Sequence, residues 1–137
     1  MKDLILIVDD DLDFLDLIST LLRCEGYDVE TAKSGQEALE KSREKIYSLV
    51  LINIKLPDLE GIEVLKRIEK TDPKMRKVIV TGYQTLENAV QALNLGANAY
   101  LVKPLKAQEI LDTVRRQLAE RDREFKERYV LLDDPKG

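Results

Sequence analysis

Five short apolar runs punctuate the chain, and residues at helical spacing fill the stretches between them. Leu4–Val8 is five consecutive apolar residues, and residues 49–52 form a second such run that ends at Asn53. Runs this short, closed by polar residues, read as strands buried on both faces of a sheet. Asp28–Ala32 is a weaker strand, with Val29 and Thr31 as its β formers. Residues 78–80 make a fourth, closed by Thr81-Gly82, and Ala99–Val102 a fifth, followed by Lys103-Pro104.

Between the strands the period changes to that of a helix. Phe14, Leu17, Ile18, Leu21 and Leu22 recur on one face, and Gly26 stops that helix. Ser34, with Glu37 three residues on, makes a capping box for a second helix to about residue 45, with Ala38 and Leu39 inward. Glu60 or Gly61 opens a third, whose buried set is Ile62, Val64, Leu65 and Ile68, and Thr71-Asp72-Pro73 ends it. Thr85 caps a fourth through Leu95, with Leu86, Ala89, Val90 and Leu93 on one side and Gly96 as its stop. A fifth begins near Lys106 and presents Ile110, Leu111, Val114 and Leu118. Strands alternating with helices across short connections predict an α/β domain: a parallel sheet with helices on both faces. No repeat or low-complexity segment interrupts it.

Past Leu118 the pattern thins. Residues 121–128 are nearly all charged around Phe125, which suits a helix extending into solvent. Heptad spacing through Leu111, Val114, Leu118 and Phe125 would place Arg121 and Arg128 on the seam of a coiled coil. Tyr129-Val130-Leu131-Leu132 then folds back, docks a partner or begins a further domain.

The length of 137 residues is that of one ordinary domain, and 44% apolar with 35% charged residues describes a soluble globular one. A net charge of −4 removes the case for nucleic acid as the main partner. The chain has no histidine, which removes His catalysis and His metal sites. A single cysteine, Cys24, excludes an internal disulfide and reads as a small core residue. No run approaches the roughly 18–20 apolar residues of a membrane span, and no signal peptide is visible, so a cytoplasmic location is expected.

Chemistry gathers where the strands end. The first strand is followed by Asp9 and Asp10, the third by Asn53, the fourth by Thr81 and the fifth by Lys103. In a parallel sheet these ends share one rim, where ligands bind. Two carboxylates with a backbone carbonyl make a hard-cation site suited to Mg²⁺. A lysine and a hydroxyl beside it are what a phosphoryl group needs for neutralisation. The rim lacks a carboxylate between the metal and the lysine to receive such a group.

Taken together, Ile-Leu-Ile-Val-Asp-Asp, Leu-Pro-Asp-Leu-Glu-Gly, Val-Thr-Gly and Tyr-Leu-Val-Lys-Pro resemble the motifs of response-regulator receiver domains of two-component signalling. The resemblance covers about residues 3–120, leaving 121–137 as a helical extension or linker. It implies a flavodoxin-like (βα)5 three-layer sandwich with strand order 2-1-3-4-5. It also implies that Asp9, Asp10, position 53 and the Lys55 carbonyl hold Mg²⁺. Thr81 and Lys103 would contact the phosphoryl group, Lys103-Pro104 would be a cis peptide, and Tyr100 would move inward as a switch with Thr81. The implied partners are a histidine kinase or phosphotransfer protein and an output or sensor domain. A homodimer through the fourth helix, fifth strand and fifth helix is a further possibility of the family, and the chain's last residues resemble the lead-in to a PAS sensor domain. Neither a membrane nor direct nucleic-acid contact is implied.

Asn53 departs from the family, which places the phosphate-accepting aspartate there. A carboxamide oxygen is a poor nucleophile and carries no charge, so this position is disabled for acyl-phosphate formation and Mg²⁺ is held less well. Three accounts stand: a natural pseudo-receiver, an engineered Asp-to-Asn change, or a different acceptor among Asp10, Asp58 and Thr81. On any of them the chain is a switch and binding module and not an enzyme. Two other classes compete. Asp9-x-Asp11 has the spacing of haloacid-dehalogenase-like phosphatases with Asp9 as nucleophile, although Leu12-Asp13 stands where Gly-Thr usually follows. A flavin or nucleotide module would want a Gly- or Ser/Thr-rich loop after the first strand, where carboxylates stand instead.

Overall fold

Alternation along the two central strands decides which way each layer packs. In the computed structural model, which describes residues 3–68, 75–82 and 86–133, β1 is Leu4–Val8 and β3 is Leu49–Asn53. Leu6, Val8, Val50 and Ile52 point into one apolar cluster, and Ile5, Ile7, Leu49 and Leu51 into another. All eight are buried, which is why these strands read as unbroken apolar runs. β2 is Asp28–Ala32, β4 is Arg76–Thr81 and β5 is Ala99–Val102. All pairings are parallel, in the order β2-β1-β3-β4-β5.

The helices cover both faces. α2 (Gly35–Glu44), α3 (Gly61–Arg67) and α4 (Leu86–Asn94) bring Ala38, Leu39, Val64, Leu65 and Ala92 to the first cluster. α1 (Leu12–Cys24) and α5 (Ala107–Asp133) bring Leu15, Ile18, Leu22, Ile110, Leu111, Val114 and Leu118 to the second. Lys103-Pro104 is cis. The expected capping box is there in altered form: Ser34 Oγ accepts the Glu37 N–H, while the Glu37 carboxylate takes the N–H of Lys33 rather than that of Ser34. The expected stop at Thr71–Pro73, the Thr85 cap and the side chains of Leu86, Ala89 and Tyr129–Leu132 lie outside the described residues.

Several expected core positions are corrected. α1 buries Leu15, Ile18, Ser19 and Leu22, a stripe at i, i+3, i+4 and i+7. Leu17 is 67% exposed. The stripe is rotated by one residue from the sequence pattern because a polar residue, Ser19, holds a core position. Cys24, expected inside, is exposed at the end of the same helix. On α4, Val90 and Leu93 are exposed, and among the described side chains of that helix the small Ala92 is the buried one. β4 begins two residues earlier than its apolar run because the aliphatic stem of Arg76 is buried. The Arg76 guanidinium donates through Nε to Gln117 at 3.0 Å and through Nη1 to both Glu124 oxygens at 3.1 Å. That ties the charged continuation of α5 to the sheet. α5 runs unbroken for 27 residues, about 40 Å.

Ser19 Oγ is buried without a hydrogen-bond partner among the described residues. Ser19→Ala is therefore expected to raise the free energy of unfolding by about 1 kcal/mol, by removing an unsatisfied hydroxyl and improving helix propensity. A urea midpoint that stays put or falls would show that the hydroxyl has a use.

Candidate functional site

Strand register carries four polar residues to one rim. Val8 pairs with Ile52, so Asp9 and Asn53 leave the sheet level with each other. Asn53 pairs with Val80, which sets Thr81 one step further along, and Thr81 pairs with Val102, which Lys103 follows. β1 and β3 flank the point where the chain's winding reverses direction across the sheet, the usual place for a site in such folds.

Asp9 is the centre of the arrangement, 1% exposed. Its Oδ1 accepts the Asp11 backbone N–H at 2.9 Å and the Asn53 amide Nδ2 at 3.4 Å. Its Oδ2 meets Lys103 Nζ at 2.9 Å. A buried carboxylate is tolerated only with charge and hydrogen-bond compensation, and Asp9 has both. Lys103 Nζ also sits 4.3 Å from the centre of the Phe14 ring, a cation–π contact that the sequence pattern offered no sign of. Asp10 is exposed. Asp11 is the N-cap of α1 and accepts from the N–H groups of Asp13 and Phe14.

The Asn53 amide also donates to the Lys55 carbonyl at 3.0 Å. Both of its neighbours are acceptors, so the amino end and not the oxygen must face them. Thr81 is buried, and its carbonyl accepts the Lys103 N–H at 2.7 Å. Tyr100 is half-buried at the margin of the first cluster, and burial pushes its phenol pKa up.

Asp58 does something other than offer a nucleophile. Its Oδ1 accepts the N–H groups of Gly35 and Leu59, and its Oδ2 that of Gln36. Burial raises its carboxyl pKa, but the backbone hydrogen bonds, led by Gln36, outweigh burial and hold it below the usual range. The residue clasps the N-terminus of α2 to the loop after β3. The signal for it was the helix start itself, since Ser34 alone leaves donors of the first turn without partners.

A divalent ion fits this arrangement poorly. Asp9, Asp10 and the Lys55 carbonyl are the right oxygen types for Mg²⁺. Yet amide hydrogens point at two of those oxygens, and an ammonium takes the second oxygen of Asp9. Among the described residues no group of three or more Asp, Glu, His or Cys side chains gathers to hold a metal.

Beside the rim lies an open apolar groove of about 450 Å³, lined by Phe14, Leu17, Ile18, Lys103, Pro104 and Leu105. The exposed Leu17 is part of it, and Leu12, at the start of α1, is also exposed. Among the described residues no helix is long and apolar enough to cross a membrane.

Residues 5–115 match the family model of the response regulator receiver domain. Over 115 residues the chain is 41% identical to the transcriptional regulatory protein ZraR of Escherichia coli K12, covering 84% of this chain and 26% of that protein. The chain thus spans about a quarter of the length of its ZraR relatives. It is 36% identical to sporulation initiation phosphotransferase F of Bacillus subtilis over 86% of this chain and 95% of that one. Among solved structures, a CheY-like receiver domain protein from Methanospirillum hungatei superposes with a TM-score of 0.87 at 44% identity, over 90% of this chain and 99% of the other.

Proposed function

The chain belongs to the response regulator receiver family, and on that premise we propose that it is a signalling module with Asn53 at the phosphoacceptor position, disabled for phosphotransfer. The observation that carries this reading is the company Asn53 keeps. Asp9, Lys103 and Thr81 converge on the rim around a residue whose carboxamide cannot supply the anionic nucleophile. Asp58 is engaged by backbone donors on both oxygens, which speaks against it as a substitute acceptor. Asp9, paired with Lys103 and two N–H donors, is equally ill placed to be the nucleophile of a phosphatase.

The module works by binding and has no turnover of its own. Its partners are a histidine kinase or phosphotransfer protein and an output or sensor domain joined through the long α5. The groove along α1, with Leu17 exposed beside Pro104 and Leu105, supports the first kind of partner. Exposed Val90 and Leu93 on α4 support an apolar contact on the α4-β5-α5 side, with an output domain or a second copy. An engineered substitution and a natural pseudo-receiver are chemically the same molecule and predict the same behaviour. The work of such a module is in the cytoplasm.

The test is the intact mass after incubation with acetyl phosphate and Mg²⁺. The expected result is a phosphoryl adduct on Asn53→Asp, in which Asp9, Asp10, the Lys55 carbonyl and the new carboxylate form a complete oxygen set, and none on the Asn53 chain. An adduct on the Asn53 chain would mean another acceptor, found by peptide mapping with Asp10 and Thr81 first. An Asn53→Asp variant that stays unmodified would sink the reading.

A further inference from the structure

We infer that the Asn53 carboxamide takes the place of a divalent cation in this site, so that the rim is held closed without metal. The inference rests on the receiver reading for the meaning of position 53, and on the hydrogen bonds alone for its physics. Two oxygens of the hard-cation set, Asp9 Oδ1 and the Lys55 carbonyl, converge on one atom, Asn53 Nδ2, at 3.4 and 3.0 Å. An amide NH₂ carries two hydrogens, so this one nitrogen can serve both acceptors. The amino group thereby bridges the end of β1 to the loop after β3, as a cation between the same two oxygens would.

Charge completes the substitution. Lys103 lies against the other oxygen of Asp9 at 2.9 Å. The buried carboxylate is therefore neutralised by an ammonium on one side and an amide dipole on the other. A Mg²⁺ ion sits about 2.1 Å from its oxygens and demands near-octahedral geometry. To enter, it would have to turn the Asn53 amide away, break both of its hydrogen bonds and compete with Lys103 for Asp9. The gain is small, because the turned amide would offer one uncharged oxygen.

This makes an unusual ordering of metal affinities. If Asn53 were a weak ligand through its oxygen, truncating it to alanine would lower Mg²⁺ affinity. If its amino group stands in for the ion, truncation frees the two oxygens and raises it. Calorimetric titration of MgCl₂, at constant ionic strength, into the Asn53 chain, Asn53→Ala and Asn53→Asp decides the matter. The expected order is the Asn53 chain weakest, Asn53→Ala about tenfold tighter, and Asn53→Asp tightest, tenfold being the scale of two modest hydrogen bonds that no longer have to be broken. An Asn53 chain that binds Mg²⁺ as tightly as Asn53→Ala, or more tightly, overturns the inference.

Should Asn53→Ala fail to fold, the side-chain NH₂ resonances of Asn53 in the unaltered chain carry the decision. Unchanged positions in millimolar Mg²⁺ support the inference, and a saturable shift overturns it. Asn53→Asp separates the two ideas: failure of that variant to take a phosphoryl group counts against the receiver site, while the comparison of asparagine with alanine still judges the amide.

Discussion

Gly61→Ala is expected to lower the free energy of unfolding by about 3 kcal/mol, at the upper end of what overpacking costs. A Cβ at this position would run into the carbonyl oxygen of Asn53 and lie 2.8 Å from the Ile54 Cα. Both obstacles are backbone at the end of the central strand, so no side chain can swing aside. The Gly61 N–H already donates to the Ile54 carbonyl at 2.5 Å, and Lys55 and Glu60 form a bridge that closes the loop. The need for glycine is one of space, since Gly61 is not among the glycines with positive φ. Alanine's better helix propensity, about 1 kcal/mol, works the other way and is included in the figure. Because the clash is with residue 53 itself, the variant should also disturb the Asn53–Lys55 hydrogen bond. Gly82→Ala is the control, with nothing among the described residues within 4 Å of the added carbon. Urea denaturation of both reads the difference, and equal midpoints would refute the argument.

The second large effect belongs to Lys103→Met, expected to cost about 2 kcal/mol. Removing one partner of a fully buried ion pair typically costs 3–5 kcal/mol, because the other charge is stranded. Here Asp9 is 1% exposed, while the Lys103 side chain is 27% exposed. Asp9 also keeps the N–H groups of Asp11 and Asn53, so the penalty falls below that range. Methionine retains contact with the Phe14 ring and isolates the loss of charge. Asp9→Asn combined with Lys103→Met should recover most of the stability, since no stranded charge remains. A single variant as stable as the unaltered chain would mean that Asp9 draws its compensation from elsewhere.

Much of this follows from local patterning, and the exceptions share a cause. Apolar runs and turn residues specified five strands and five helices, and the alternation left only a parallel two-faced sheet. The same pattern brought Asp9, Asn53, Thr81 and Lys103 to one edge, because strand ends in a parallel sheet have no other place to go. The misread positions are Leu17, Cys24, Val90 and Leu93. Each is apolar and sits on a helix where a smaller or more polar neighbour is buried instead, Ser19 on α1 and, among the described side chains, Ala92 on α4. Helical periodicity reports a stripe about a third of a turn wide, and one serine in the core is enough to shift it.

What the chain determined by itself was the architecture, the family and the chemical identity of the rim, all carried by residue types at fixed spacings. Tertiary structure alone decided how the rim is wired. Lys103 turns to Asp9, the Asn53 amino group faces Asp9 and Lys55, Asp58 clasps a helix 22 and 23 residues away, and Arg76 reaches Glu124 across 48. These are choices of direction by flexible polar side chains. Sequence spacing constrains which strand end a side chain leaves, whereas its hydrogen-bond partner depends on three-dimensional neighbours that no local pattern contains.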